Sequence, residues 1–312
     1  MEDAVSSPAH ASLLPLGREV PFADIELALG RSGLDDGKRA PGRALTATIV
    51  VVGPHARLAE AAESVEQLTD VGVRAILISD GDNPAPTVRV LDHAIAIEEL
   101  RPDYLNNAVA ALRLSSLPTV VWWRGANPAM LDGLADLSDR LVLDAEDPAD
   151  VWAHVSVLSE RTATSDLRWA RLTRWRALMA QFFDIPEVRE AVGAFTRLSI
   201  DGADLHAARL YAGWLSSSLE WTGGVAIELR AVAGPAAIER IEFGNGEQAL
   251  TLRLGPSGSC IEASARVQGH AGASRVVSLG DQCLTTIIGE ELRIRSHDLA
   301  FERAVAAAQG VV

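Results

Sequence analysis

The sequence predicts an α/β segment followed by an α+β segment, and three observations predict it. From Thr46 to Glu160 short apolar runs alternate with helical patterns. From Ser165 three helical patterns follow in series, and beyond Thr222 strand-like runs are separated by glycine-containing connections too short for crossovers. With 312 residues the chain is long enough for two cores. The expected organisation is a flexible lead with a short helix over 1–43, an α/β domain over 44–164 and an α+β domain over 165–312.

In the lead, Val20–Gly30 reads as a helix entered through Pro21 and stopped by Gly30, and the Gly- and Asp-rich Arg31–Pro41 reads as a loop. The α/β domain is then strand Thr46–Val52, helix Ala56–Asp70, strands Val73–Ser79 and Leu91–Ile97, and helix Pro102–Ser115. Strand Leu117–Trp123, helix Asn127–Leu137, strand Arg140–Leu143 and helix Pro148–Glu160 complete it. This alternation predicts a mostly parallel sheet covered by helices on both faces.

The second domain opens with helices Ser165–Phe183, Pro186–Phe195 and Asp204–Leu219. Strand patterns follow at Val225–Val232, Ile238–Phe243, Ala249–Leu254, Ser259–Arg266, Ser274–Leu279 and Cys283–Ile288, with Gly244-Asn245-Gly246 shaped for a hairpin of an antiparallel sheet. Helix His297–Gln309 closes the pattern, with Gly310 at the position of a C-cap.

The formal net charge of −14 repels nucleic acid and anionic lipid, so neither is expected as a partner. The amino end, Met1-Glu2-Asp3-Ala4-Val5, has no basic and apolar signal regions, and no run approaches the roughly 18 apolar residues of a membrane span. A cytoplasmic location is the expectation. Cys260 and Cys283 match neither a zinc site nor a redox pair and read as small apolar residues on two strands of one sheet.

A search for catalytic chemistry returns little. Gly53-Pro54 lacks the Gly-x-Gly-x-x-Gly spacing, and no Gly-Lys-Ser/Thr phosphate loop occurs. Gly255-Pro256-Ser257-Gly258-Ser259 misses the register of a nucleophile elbow and precedes a strand. The seven histidines are scattered, so no metal or cofactor is expected. Open α/β sheets bind ligands beyond their strands' carboxyl ends, and there stand Arg124, Asp80, Asp82 and Asp144. They form either a cleft for an anion such as a sugar phosphate or ordinary polar loops with Arg124 paired to Asp144.

Two aromatic segments are denser. Alternation sends Trp122 and Trp123 to opposite faces of the sheet, both into core. On a helix, Trp169, Leu172, Trp175, Met179, Phe182 and Phe183 share one stripe, yet Arg168 and Arg176 lie in line with it at i−4 and i+4 from Leu172. Guanidinium groups beside a buried face need internal carboxylates, aromatic rings or a protein partner.

Leu117-Pro118-Thr119-Val120-Val121-Trp122-Trp123-Arg124-Gly125, then Asp139-Arg140-Leu141-Val142-Leu143-Asp144, then Asp166-Leu167-Arg168-Trp169-Ala170-Arg171-Leu172-Thr173-Arg174-Trp175-Arg176 resemble the OpcA family, the glucose-6-phosphate dehydrogenase assembly proteins of cyanobacteria and actinobacteria. Departures from the family pattern are Val71-Gly72-Val73-Arg74-Ala75 in place of a His-Pro-Ser-Arg-like stretch, and Arg174 where a proline is common. The resemblance implies a non-catalytic partner that binds glucose-6-phosphate dehydrogenase and promotes its active oligomer. With it come Pro118, Trp122 and Trp123 as a structural motif and Arg168, Trp169, Arg171, Arg174, Trp175 and Arg176 as candidate contact residues.

Overall fold

The computed structural model describes residues 18–25, 44–68, 71–83, 86–91, 94–221, 224–268, 272 and 274–311. It divides into two compact units, 1–137 and 138–312. The residues between 138 and 164, expected with the α/β domain, fall in the second unit. Most of the lead, including all but the start of the helix expected at Val20–Gly30, lies outside the described residues.

In the first unit, β1 (Arg18–Glu19) and a single 3-10 turn at Phe22–Asp24 precede β2 (Ala47–Gly53), α1 (His55–Glu66), β3 (Val73–Asn83), β4 (Thr87–Val90) and β5 (Ala94–Leu100). They are followed by α2 (Pro102–Leu112), β6 (Thr119–Trp123) and α3 (Leu131–Leu137). β2 pairs in parallel with β3 and β6, and β3 with β5, whereas β4 is antiparallel to β5 and β1 to β4. β2, Ala-Thr-Ile-Val-Val-Val-Gly, is buried at every position, as a β-branched run covered on both faces requires. The strand expected at Leu91–Ile97 is β5, displaced three residues along the chain. Its antiparallel neighbour β4 has no counterpart in the sequence reading, because the Asn-Pro-Ala-Pro run before it marks only a loop.

The second unit begins with β7 (Arg140–Leu143), α4 (Ala149–Trp152), α5 (Val155–Ser159) and β8 (Ala163–Asp166), with β7 parallel to β8. α6 (Leu167–Arg171), α7 (Thr173–Phe182) and α8 (Pro186–Ala191) follow. Then come β9 (Arg197–Gly202), α9 (Leu205–Ser218), β10 (Ala226–Ala231), β11 (Arg240–Gly244), β12 (Ala249–Leu254), β13 (Cys260–Arg266) and β14 (Ser274–Ser278). α10 (Leu284–Glu291) and α11 (Leu299–Ala308) end the unit. The sheet runs β10-β9-β11-β12-β13-β14 and is antiparallel except for β9 with β10. Leu198, Ile200, Ile241, Phe243, Leu250, Leu252 and Ile261 are buried, while residues of opposite parity form the ion pairs Arg197–Glu228, Arg230–Asp201 and Arg253–Glu262.

Three expectations are corrected here. Cys283–Ile288 is the N-cap and first turns of α10, not a strand: the Asp281 carboxylate accepts from the Cys283 N–H and the Thr286 hydroxyl, and Ile287 and Ile288 are buried by the helix. Local β-branched propensity yields to that turn and to packing. Cys283 is therefore exposed and Cys260 half-buried. The helix expected over Ser165–Phe183 is strand β8 followed by α6 and α7, split at Leu172, where the Thr173 hydroxyl bonds the Ala170 carbonyl at 2.7 Å. The helix expected at Pro148–Glu160 is likewise two short pieces, α4 and α5. Strand β9 has no counterpart in the sequence reading either, since Arg197-Leu198-Ser199-Ile200-Asp201-Gly202 carries only two large apolar residues among polar ones.

α9 and α11 pack backbone to backbone at Gly213, where an added Cβ would sit 2.2 Å from the Ala304 carbonyl oxygen and 2.9 Å from the Ala308 Cβ. Gly193 has nothing within 4 Å. Gly213→Ala is expected to lower the unfolding free energy in urea by about 1–3 kcal/mol through overpacking, and Gly193→Ala to leave it unchanged or slightly raised.

Candidate partner-binding site

The Trp–Arg segment is organised by three aspartates that cap helices. Asp166 ends β8, accepts the Arg168 N–H on Oδ1 at 2.7 Å to cap α6, and takes the Trp152 indole N–H on Oδ2 at 3.0 Å. Asp204 caps α9 through the N–H groups of His206 and Ala207, and its Oδ2 accepts from Arg168 Nε at 2.8 Å. Asp298 caps α11 through Ala300 and Phe301, and its Oδ2 accepts the Trp169 indole N–H at 2.7 Å. In each case one oxygen satisfies helix-end donors and the other a side chain from a different element.

Arg168 spends its remaining donors on the carbonyls of Ala145 and Glu146, at 2.7 and 2.9 Å. Its charge is thus used inside the fold. Trp169 and Trp175 are only 3% and 4% exposed. The Arg176 guanidinium carbon lies 3.3 Å from the centroid of the Trp169 ring, and burial lowers its pKa to about 10, so it stays protonated at neutral pH. Tyr211, fully buried nearby, is pushed up by desolvation. Of the six candidate contact residues, Trp169 and Trp175 are buried, Arg168, Arg171 and Arg176 are half-buried and Arg174 is exposed.

The same segment walls a cleft of about 640 Å3. Arg168, Arg171, Leu172 and Trp175 line it from the α6–α7 junction, and Ala203, Asp204 and Ala207 from the start of α9. The connection Pro235–Ile238, Leu254, Gly258, Leu279 and Gln282 close the other side. The Arg171 side chain makes no hydrogen bond or ion pair among the described residues.

The strand-end residues are arranged differently. The chain order reverses between β2 and β6, where a ligand crevice would open in such sheets. There Arg124, 2% exposed, donates from Nη1 to the Arg57 carbonyl and from Nη2 to Glu60 Oε2, both at 2.7 Å, and covers the Trp122 ring. A Cβ on Gly53 would meet the Arg124 Cβ at 2.9 Å, so glycine there lets this side chain fill the crevice. Asp80 accepts the Asn127 N–H at 3.3 Å and Asp82 is exposed. Asp144 lies in the other unit, buried beyond β7. Trp122 and Trp123 are both buried, and the Pro118 carbonyl receives the Thr48 N–H.

Sequence reasoning missed the partners that make this site. Asp204 and Asp298 fall at the first and second positions of expected helices and are their N-caps, while their second bonds to Arg168 and Trp169 span 36 and 129 residues. The buried pair Arg140–Glu291, 2.6 Å apart and joined by Ser165, spans 151 residues and left no local signal. Burial raises the Glu291 pKa, with Arg140 opposing it. Among the described residues no cluster of three His, Cys, Asp or Glu could hold a metal ion, and no helix is long and apolar enough to cross a membrane.

Comparison with known proteins places this site in context. Residues 162–305 match the family described as the C-terminal domain of the glucose-6-phosphate dehydrogenase subunit. A Synechocystis protein named OpcA and described as an OxPP cycle protein is 25% identical over 247 residues, 65% of this chain and 51% of that protein. The OpcA of Synechococcus elongatus is 32% identical over 144 residues, 43% of this chain and 32% of that protein. Among solved structures, levoglucosan dehydrogenase in complex with NADH and L-sorbose superposes with a TM-score of 0.48 at 10% identity, covering 85% of this chain and 88% of that one. The matched residues all lie in the second unit. By these matches the chain is similar to the OpcA proteins. It spans about half the length of the Synechocystis relative and about a third of the Synechococcus one.

Two outcomes follow from this geometry. Arg168→Ala strands the Asp204 and Asp166 carboxylates and is expected to cost about 2–4 kcal/mol of unfolding free energy, against about 0.5 kcal/mol or less for Arg174→Ala, by urea titration. The second concerns Asp166, whose pKa burial raises from 3.8 to about 6 against the pull of Arg168. Because the folded value lies above the unfolded one, this carboxyl costs nothing below about pH 4, and stability falls as pH rises to 6, by about 3 kcal/mol in all. The stability advantage of wild type over Asp166→Asn should therefore narrow between pH 4 and 6.5, and a constant gap would contradict it.

Proposed function

We propose that this chain is a non-catalytic partner of glucose-6-phosphate dehydrogenase that favours the enzyme's active oligomer, supporting the oxidative pentose phosphate pathway and its NADPH supply. The observation that carries the reading is the match of residues 162–305 to the dehydrogenase-associated C-terminal domain. The Trp–Arg segment lies within that match, and its interior bonds hold Arg171 and Arg174 on a fixed support. A contact surface held rigid before binding loses little entropy on association.

Activation of this kind needs only differential affinity. A ligand that binds the active assembly more tightly than the inactive one shifts the population by that difference, and a hundredfold shift needs about 2.7 kcal/mol. In the first unit the crevice between β2 and β6 is filled by Arg124 and its bonds to Arg57 and Glu60, which does not favour a sugar phosphate there.

The test is NADP reduction by the same organism's glucose-6-phosphate dehydrogenase at varied glucose 6-phosphate, with and without this chain, together with size-exclusion of the mixture. Co-elution with a lower KM or a higher rate is expected. Independent elution with unchanged kinetics would reject the reading.

A further inference from the structure

The cleft of the second unit has an uneven chemistry. Its walls include the apolar side chains Leu172, Trp175, Ile238, Leu254 and Leu279. Its polar side chains are almost all committed. Arg168 is held by Asp204 and two carbonyls, Asp204 already accepts three donors, and Gln282 gives its amide N–H to the Leu279 carbonyl. Arg171 is the exception: half-buried, beside this apolar wall, and with no partner among the described residues.

We propose that this cleft binds an extended peptide segment of a protein partner, with an Asp or Glu side chain on Arg171 and neighbouring large apolar side chains against Leu172, Trp175 and Leu254. The inference rests on the dehydrogenase reading for the partner's identity and adds the surface and the chemistry it recognises. A guanidinium beside apolar walls favours a carboxylate, because the pair is desolvated on binding and the fork geometry matches two oxygens. A sugar or nucleotide fits worse, since its hydroxyls would enter a cleft whose side-chain donors and acceptors are mostly spent, and each unpaired hydroxyl costs free energy. The volume of about 640 Å3 suits several side chains of a peptide. On a chain of net charge −14, one uncommitted cation at a cleft also selects where an acidic segment can approach.

The experiment measures the affinity of the full chain for the same organism's dehydrogenase by biolayer interferometry, with circular dichroism confirming that each variant is folded. Arg171→Glu and the cleft-filling Ala236→Trp are each expected to raise Kd about thirtyfold or more, and Arg171→Lys, which keeps the charge but loses the two-pronged fork, to raise it by less. Arg189→Glu, an exposed charge reversal on α8 away from the cleft, should change it little. Overlapping dehydrogenase peptides of about fifteen residues should be captured only where an acidic residue adjoins Leu, Ile or Phe, and that capture should be lost in Arg171→Glu. Wild-type affinity in both Arg171→Glu and Ala236→Trp would overturn the cleft while leaving the dehydrogenase reading intact. Absence of any wild-type complex would overturn that reading and this one with it. Displacement of the complex by inorganic phosphate alone would assign the cleft to a small anion and overturn the peptide.

Discussion

The second unit depends on three helix-capping aspartates that each serve two masters. A helix end leaves N–H groups unpaired, and a buried indole or guanidinium needs an acceptor. Asp166, Asp204 and Asp298 meet both demands with one carboxylate each, so the starts of α6, α9 and α11 are tied to Trp152, Arg168 and Trp169. Without these second bonds the aromatic stripe would carry a buried cation and unpaired donors against the core. Desolvation is the cost of the arrangement, visible in the raised pKa of Asp166.

This constraint explains why most of the Trp–Arg segment is not at the surface. Trp169, Trp175, Arg168 and Arg176 hold the α6–α7 junction in shape, with Arg176 stacked on Trp169 and Arg168 bridging to the 145–146 carbonyls. What reaches solvent is the remainder, Arg171 and Arg174, on a scaffold whose rotamers are fixed from behind. The cleft beside Arg171 adjoins the same junction, with Arg168, Arg171, Leu172 and Trp175 on its wall and Ala203, Asp204 and Ala207 also lining it.

The first unit shows the opposite use of an arginine. Its parallel strands reverse direction of travel at β2 and β6, the position where open α/β sheets hold ligands. Gly53 permits Arg124 to approach closely, and Arg124 turns its guanidinium onto Trp122, Glu60 and the Arg57 carbonyl. The polar strand ends that look like a site in the sequence are, at Arg124, internal packing.

Periodicity made most of the architecture legible. The buried run of β2, the adjacent tryptophans of β6, the Gly244-Asn245-Gly246 hairpin and the amphipathic stripe of α7 all follow from residues near one another in the chain, where side-chain direction is set by local backbone geometry. Where local preference was weak or contradicted, the sequence was silent or misleading. Cys283–Ile288 has strand composition yet forms a helix, β4 and β9 each carry only two large apolar residues, and Leu172 breaks a stripe that reads as continuous. The sequence by itself determined the succession of α/β and α+β segments and the residues that would need burial. Tertiary structure alone decided which acid meets which base, sending Arg140 to Glu291 and Arg168 to Asp204, because the free energy of a desolvated charge is set by whichever partner the fold brings within bonding distance.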